Sequence, residues 1–157
     1  MVAQYLTYNT NSFRHKLVLE SKKWLGTPYC HQASVCKVGA DCLGLVRGVW
    51  RSVYGFEPEQ IPSYTEDWSE VEGEERLYSA ALRHLVPLSD NSMMMPGDIL
   101  LFRMRRESVA KHLGILVNNA RFIHSYSRRG VVSSSLEGYW MSKLWQVFRF
   151  PELLIAK

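Results

Sequence analysis

Apolar residues recur along this chain first with a helical period and later with a strand-like one. From Ser12 to Trp24, the residues Phe13, Leu17, Val18 and Trp24, with Leu25 beyond, make one apolar stripe, while Arg14, Lys16, Lys22 and Lys23 fall elsewhere. Gly26 and Pro28 then close the segment as a helix end. Residues 1–10 read as a frayed or strand-like lead-in. A second helical period joins Cys42, Leu45, Val46, Val49 and Val53 on one face, runs to about Tyr54 and is stopped by Gly55. Residues 56–92 form an insertion-like excursion: Pro58, Pro62, Tyr64 and Trp68 mark irregular chain. An acidic helix is expected from 70 to about 85, with Leu77, Ala81, Leu82 and Leu85 as its buried face.

After residue 92 the period changes. Met95-Pro96-Gly97-Asp98 is a turn, residues 99–103 read as a strand, and 104–110 are a polar connection. Residues 111–118 alternate and meet 121–126 across a short hairpin turn at 118–120. Arg129-Gly130 makes another turn, and a last strand at about 144–150 is broken by Pro151. Helices first and an antiparallel meander afterwards predict an α+β fold, and 157 residues suit one domain over 1–157.

Composition narrows the class only slightly. Hydrophobic residues at 46% and charged residues at 22% belong to a globular chain. The net charge of +4 is scattered, with no basic run longer than a pair such as Lys22-Lys23, which argues against nucleic acid as a partner. Three cysteines cannot pair completely, so reduced thiols are expected. The first residues hold no apolar run of signal-peptide length, and no segment approaches a membrane span. These features predict synthesis in the cytoplasm.

The chemistry gathers around Cys42. Asp41 is a good N-cap, and Cys42 as first helical residue would hold its sulfur at the positive end of the helix dipole, which favours thiolate. A nucleophilic cysteine needs a base. His112 and His124 lie on the two strands of the expected hairpin, whose facing positions sum to about 238, so 112 faces about 126 and 114 faces about 124. A shift of register or a small bulge lets the histidines touch, with His112 as base and His124 as its orienting partner.

With those residues in view the chain resembles the NlpC/P60 cysteine peptidases, and within them a phage-type, tail-associated or gene-transfer-agent-like branch. The resemblance runs through Trp24-Leu25-Gly26-Thr27-Pro28-Tyr29, the stretch from Asp41 to Arg51, Pro96-Gly97-Asp98 and the strand after it, Ala110-Lys111-His112-Leu113-Gly114-Ile115, and Phe122-Ile123-His124-Ser125-Tyr126. It closes at Trp145 to Pro151. It implies a reduced papain-like fold, Cys42 as nucleophile, His112 as general base and then acid, and His124 as third member. Tyr29 matches the family tyrosine that helps hold the substrate carbonyl or its oxyanion. The implied reaction is amide hydrolysis in peptidoglycan stem peptides, usually between D-γ-glutamate and the diamino acid, with no cofactor and no metal. The implied setting is the envelope, reached within a phage-like particle beside tail-tip or baseplate proteins.

The chain departs from the family pattern in two places. Leu43 stands where many members carry serine, and Gln32-Ala33 replaces a widespread Gly-Gly pair. His31, close to Tyr29, and Asp41, just before the nucleophile, are further candidates on the substrate and oxyanion side. Two rival readings follow from the same residues. Cys30, His31, Cys36 and Cys42 suggest a zinc site, but their spacing lacks the short knuckle such sites use. A wall-binding or structural tail module of the same fold is the other.

Overall fold

The structure, a computed structural model, describes residues 2–65 and 73–152, and of residues 2–10 the backbone alone. Helix α1 runs Val2–Lys22. The expected lead-in at 1–10 is thus helical from Val2 onward. Asn9, Thr10, Asn11 and Ser12 read as a boundary, yet each costs only a fraction of a kcal/mol, about 0.5, in a helix. No proline or glycine precedes Gly26 to break it. The stripe Phe13, Leu17, Val18 and Trp24 is buried.

Helix α2 spans Cys42–Tyr54, and Gly55 closes it in the left-handed region (φ 83°), its N–H donating to the Arg51 carbonyl. Leu45, Val46 and Val49 are buried, and α2 packs against α1. Helix α3 spans Arg76–His84 and buries Leu77 and Ala81. Residues 70–72 of the expected acidic helix lie outside the described residues, and Gly73, Glu74 and Glu75 precede the helix rather than belong to it. Leu82, expected on the buried face, is 45% exposed. Five residues beyond Leu77, it is turned by about 140° from the packed side, whereas Ala81 is turned by only about 40°.

Among the described residues, two sheets complete the framework. A small hairpin pairs β1 (Ser34–Val35) with β2 (Gly39–Ala40) inside the loop before α2. The main sheet contains β3 (Val86–Pro87), β4 (Ile99–Phe102), β5 (His112–Leu116), β6 (Arg121–Tyr126), β7 (Gly130–Ser135) and β8 (Leu144–Arg149). Its order is β3-β8-β4-β5-β6-β7, with every neighbour antiparallel. The two-residue period of the strands divides the core. Ile99, Leu101, Leu113, Ile115 and Ile123 pack with α1 and α2 on one face. Leu100, Phe102, Leu116 and Phe122 form the opposite face with Leu136, which follows β7, and with Trp140 of helix α4 (Tyr139–Lys143). The α+β order expected from the periodicity is the order observed. The sequence pattern does not foresee β1, β2, β3 or α4, each six residues or shorter.

Arg14 departs from expectation. It is buried rather than solvated, because its Nη1 donates to Oδ1 of Asp98 at 3.1 Å and to the Pro96 carbonyl at 3.4 Å. Asp98 is fully buried and also accepts two bonds from Arg149, at 2.9 Å each, and one from the Met95 N–H at 2.8 Å. One carboxylate thereby ties α1, the turn before β4 and β8 together. Removing one partner of such a pair leaves a buried charge uncompensated. Asp98→Ala is expected to cost about 3–5 kcal/mol of unfolding free energy. Urea denaturation measures it, and a loss below about 1 kcal/mol, the range of surface pairs, is the result against it.

Candidate active site

The site begins where the β1–β2 hairpin meets α2. Asp41 is extended (φ −93°, ψ −176°), and its Oδ1 accepts the Gly44 N–H at 2.7 Å, capping the helix. Its Oδ2 accepts the Gln32 N–H at 2.8 Å and the Tyr64 hydroxyl. The carboxylate thus joins the helix start to the loop on one side and to residues 56–65 on the other. The loop lies so close that a Cβ at Gly44 would fall 1.9 Å from the Ala33 carbonyl oxygen, so only glycine fits there. Ser34 reinforces the contact, its hydroxyl donating to the Gly44 carbonyl at 2.6 Å.

Cys42 follows as the first helical residue and is part-buried. Its thiol donates to the Lys111 carbonyl at 3.7 Å, which sets it beside the start of β5 and so beside His112.

The hairpin arithmetic holds: Ile115 pairs with Ile123 and Leu116 with Phe122, each summing to 238. His112 and His124 therefore share a face one diagonal apart, a separation that ring side chains span. No side chain intervenes at Gly114, where a Cβ would meet the Phe122 ring at 2.6 Å. His112 Nε2 and His124 Nδ1 lie 2.7 Å apart in a hydrogen bond. Both residues are buried, and Trp140 covers them, stacked on His112 at 5.3 Å and edge-on to His124 at 4.8 Å. With Nε2 of His112 committed to His124, Nδ1 is the nitrogen that remains for the thiol. On its far side His124 Nε2 bonds Ser134 Oγ at 2.7 Å.

A cleft of about 450 Å³ opens over this arrangement, and Tyr29, His31, Asp41, Cys42, Tyr64 and His112 are among its walls. His124 stands behind His112 and does not line it. His31 Nε2 bonds the Tyr64 carbonyl at 2.6 Å, and its Nδ1 lies 4.0 Å from Asp41. All six residues singled out in the sequence therefore belong to one neighbourhood. Sequence reasoning missed Tyr64, Trp140 and Ser134 as parts of the site. Only Ser134 carried a usable signal. The β6–β7 pairs sum to 256, which sets Val132 opposite His124 and Ser134 diagonal to it.

The protonation states differ from the expectation at the helix start. Burial, then the neighbouring Asp41 carboxylate, push the Cys42 thiol up to about 12. Burial, then the charges of His124 and Lys111, bring His112 down to about 3, and burial brings His124 down to about 4. The dipole of α2 favours thiolate, but removal from water disfavours any charge on this pair and wins. The resting site holds a thiol beside neutral imidazoles.

The zinc grouping does not assemble. The Cys36 thiol donates to the Lys23 carbonyl at 3.4 Å, and among the described residues no group of three His, Cys, Asp or Glu is arranged to hold a metal ion. No described helix is long and apolar enough to cross a membrane.

Comparison with known proteins gives a consistent result. Residues 26–149 match the model of the NlpC/P60 family. The chain is 31% identical over 143 residues to the gamma-DL-glutamyl hydrolase of Bacillus subtilis (strain 168), covering 90% of this chain and 30% of that protein. It is 31% identical over 121 residues to the murein DD-endopeptidase MepS/murein LD-carboxypeptidase of Escherichia coli (strain K12), covering 76% and 54%. Among solved structures, an NlpC/P60 family protein from Bacillus cereus ATCC 10987 superposes with a TM-score of 0.63 at 22% identity, over 87% of this chain and 40% of that one. The chain spans about half or less of the length of these three proteins.

The neutral resting pair is open to test by alkylation, with Cys30 and Cys36, both exposed, replaced by serine. The rate of Cys42 modification by iodoacetamide should be low at pH 7 and rise towards about pH 12. A fast rate that stays level from acid to neutral pH would show a thiolate–imidazolium pair instead.

Proposed function

The chain belongs to the NlpC/P60 family of cysteine peptidases, and on that premise we propose that it hydrolyses an amide bond in peptidoglycan stem peptides, between D-γ-glutamate and the diamino acid. The single observation that carries the reading is the buried His112–His124 hydrogen bond, behind a cleft that both His112 and Cys42 line. The relatives' names supply the substrate class: one acts on gamma-DL-glutamyl bonds and the other on murein.

In the proposed reaction Cys42 is the nucleophile. Because thiol and imidazole both resist charge, proton transfer ahead of attack is uphill, and it accompanies formation of the C–S bond. His112 Nδ1 takes the thiol proton as Sγ adds to the carbonyl carbon. The carbonyl electron pair moves to oxygen, where the Cys42 backbone N–H at the start of α2 and the Tyr29 hydroxyl hold it. Collapse of the tetrahedral intermediate breaks the C–N bond, and His112 gives its proton to the leaving amine. His112 then deprotonates a water that attacks the thioester, the γ-glutamyl carboxylate leaves, and the proton returns to Cys42. Throughout, His124 accepts the His112 Nε2–H and steadies the transient imidazolium. Asp41 holds the helix start and, with His31, the cleft wall on the substrate side.

The finer setting is part of the same proposal. The chain acts in the envelope as a wall hydrolase at the tip of a phage-like tail, made in the cytoplasm and carried in the particle. The resemblance of nearly the whole chain to the phage-type branch supports this setting, which rests on that family context and on no single residue. Proteomics of purified particles from a producing strain tests it, and absence of the chain from them counts against it.

Digestion of purified stem peptides, read by mass spectrometry, tests the reaction. Wild type should release a fragment ending in γ-glutamate, and Cys42→Ala and His112→Ala should lower kcat by about 10⁴-fold or more while leaving the fold intact. His124→Ala should lose about 10²-fold, since an orienting residue is partly dispensable. Cleavage undiminished in Cys42→Ala removes the nucleophile from the proposal, and no cleavage by wild type favours a wall-binding module. As for pH, the base works only when neutral, so activity is lost as pH falls through the folded histidine values. The acid limb of kcat/KM should therefore lie near pH 3–4. A limb near 6.5 would mean that an unperturbed histidine is the base.

A further inference from the structure

Resting on the reading above, we infer that Ser134 is a positioning residue for the reaction: its Oγ, as acceptor, holds His124 and through it His112 in the tautomers that leave His112 Nδ1 free to take the thiol proton. The geometry is a line of four groups. His112 Nδ1 is left for the thiol, Nε2 of His112 bonds Nδ1 of His124 at 2.7 Å, and Nε2 of His124 bonds Ser134 Oγ at 2.7 Å. Each neutral imidazole carries one proton, so choosing one hydrogen-bond direction fixes the whole line.

If Ser134 accepts from His124 Nε2–H, then His124 Nδ1 bears a lone pair and accepts from His112 Nε2–H. His112 Nδ1 is then unprotonated and can receive the thiol proton. If Ser134 donates instead, His124 Nδ1 is protonated and donates to His112 Nε2, and His112 Nδ1 carries a hydrogen. The base is then blocked. The accepting direction is also the only one compatible with a charged His112, which must donate from both nitrogens. A hydroxyl can take either part, and in the accepting one Ser134 stabilises the state that forms during reaction, an effect on turnover rather than on affinity.

The position of the serine follows from the sheet. Ser134 lies opposite Phe122 on β7, and His124 opposite Val132, so the hydroxyl is diagonal to the imidazole on the same face. His124 is 1% exposed, which leaves little room for water to replace the hydroxyl. Ser134 is half-buried and lies outside the cleft lining, so it works through His124 rather than by touching substrate.

Long-range proton–nitrogen NMR of histidine-labelled protein reads the tautomers directly, beside stem-peptide kinetics on wild type, Ser134→Ala and Ser134→Thr. The wild type should show both histidines protonated at Nε2. Ser134→Ala should give mixed tautomers at His124 and His112 and lower kcat about tenfold, the weight of one hydrogen bond to a charged network, with KM unmoved. Ser134→Thr, which keeps the hydroxyl, should restore both readouts. Wild-type tautomers and kcat in Ser134→Ala, or a wild-type His112 protonated at Nδ1, overturn the inference. Should no variant or wild type cleave the peptides, the reaction reading fails, and the tautomer readout still decides the role of Ser134.

Discussion

One buried carboxylate sets the geometry on which the cleft depends. Asp41 is 4% exposed and satisfies three donors: the first turn of α2, the backbone of Gln32 and the hydroxyl of Tyr64. Each fixes a different wall. The helix bond orients Cys42, the Gln32 bond holds the hairpin loop that carries Tyr29 and His31, and the Tyr64 bond brings 56–65 over the opening. A cap of this kind is ordinarily worth about 1 kcal/mol to its helix. Here the same oxygens also assemble the site, so the residue constrains shape more than its stability contribution suggests. The charge has a second effect, since it raises the pKa of the adjacent thiol.

Burial governs the chemistry that this geometry permits. Trp140, Phe102 and Phe122 surround the histidine pair with aromatic surface. An environment of that kind resists a standing ion pair yet strengthens every hydrogen bond within it. The line from His112 through His124 to Ser134 is therefore short, directional and shielded. The helix start that favours thiolate in isolation is outweighed by the loss of hydration around the sulfur.

Much of this was legible beforehand, and the reasons for the rest are physical. Helix α2 announced itself through its capping residue, its apolar spacing and Gly55, all local signals. The nearness of His112 and His124 was readable because a tight turn at 118–120 makes pairing a matter of addition, but the rings meet across the diagonal in that register and not through the expected shift or bulge. The same addition across the next turn leads to Ser134, but a serine among serines at 133–135 draws no notice without the histidine in view. Arg14 looked like a solvated charge because its partner stands 84 residues away, and no local pattern reports such a distance. Tyr64 sits in irregular chain, where neither period applies. Trp140 rides on a five-residue helix, too short to show periodicity.

The topology also bears on how the chain reaches this state. Strand β8 is made after the other strands yet lies inside the sheet, between β3 and β4. Until it inserts, β4 is a bare edge whose four residues, Ile99 to Phe102, are all apolar, and an open edge of that composition invites pairing with other chains. Arg149, on the same late strand, brings two of the four donors that bond Asp98. A ribosome-bound chain short of that residue therefore carries both an adhesive edge and a half-compensated charge at the same spot. Insertion of β8 closes that edge and completes the partners of Asp98 together.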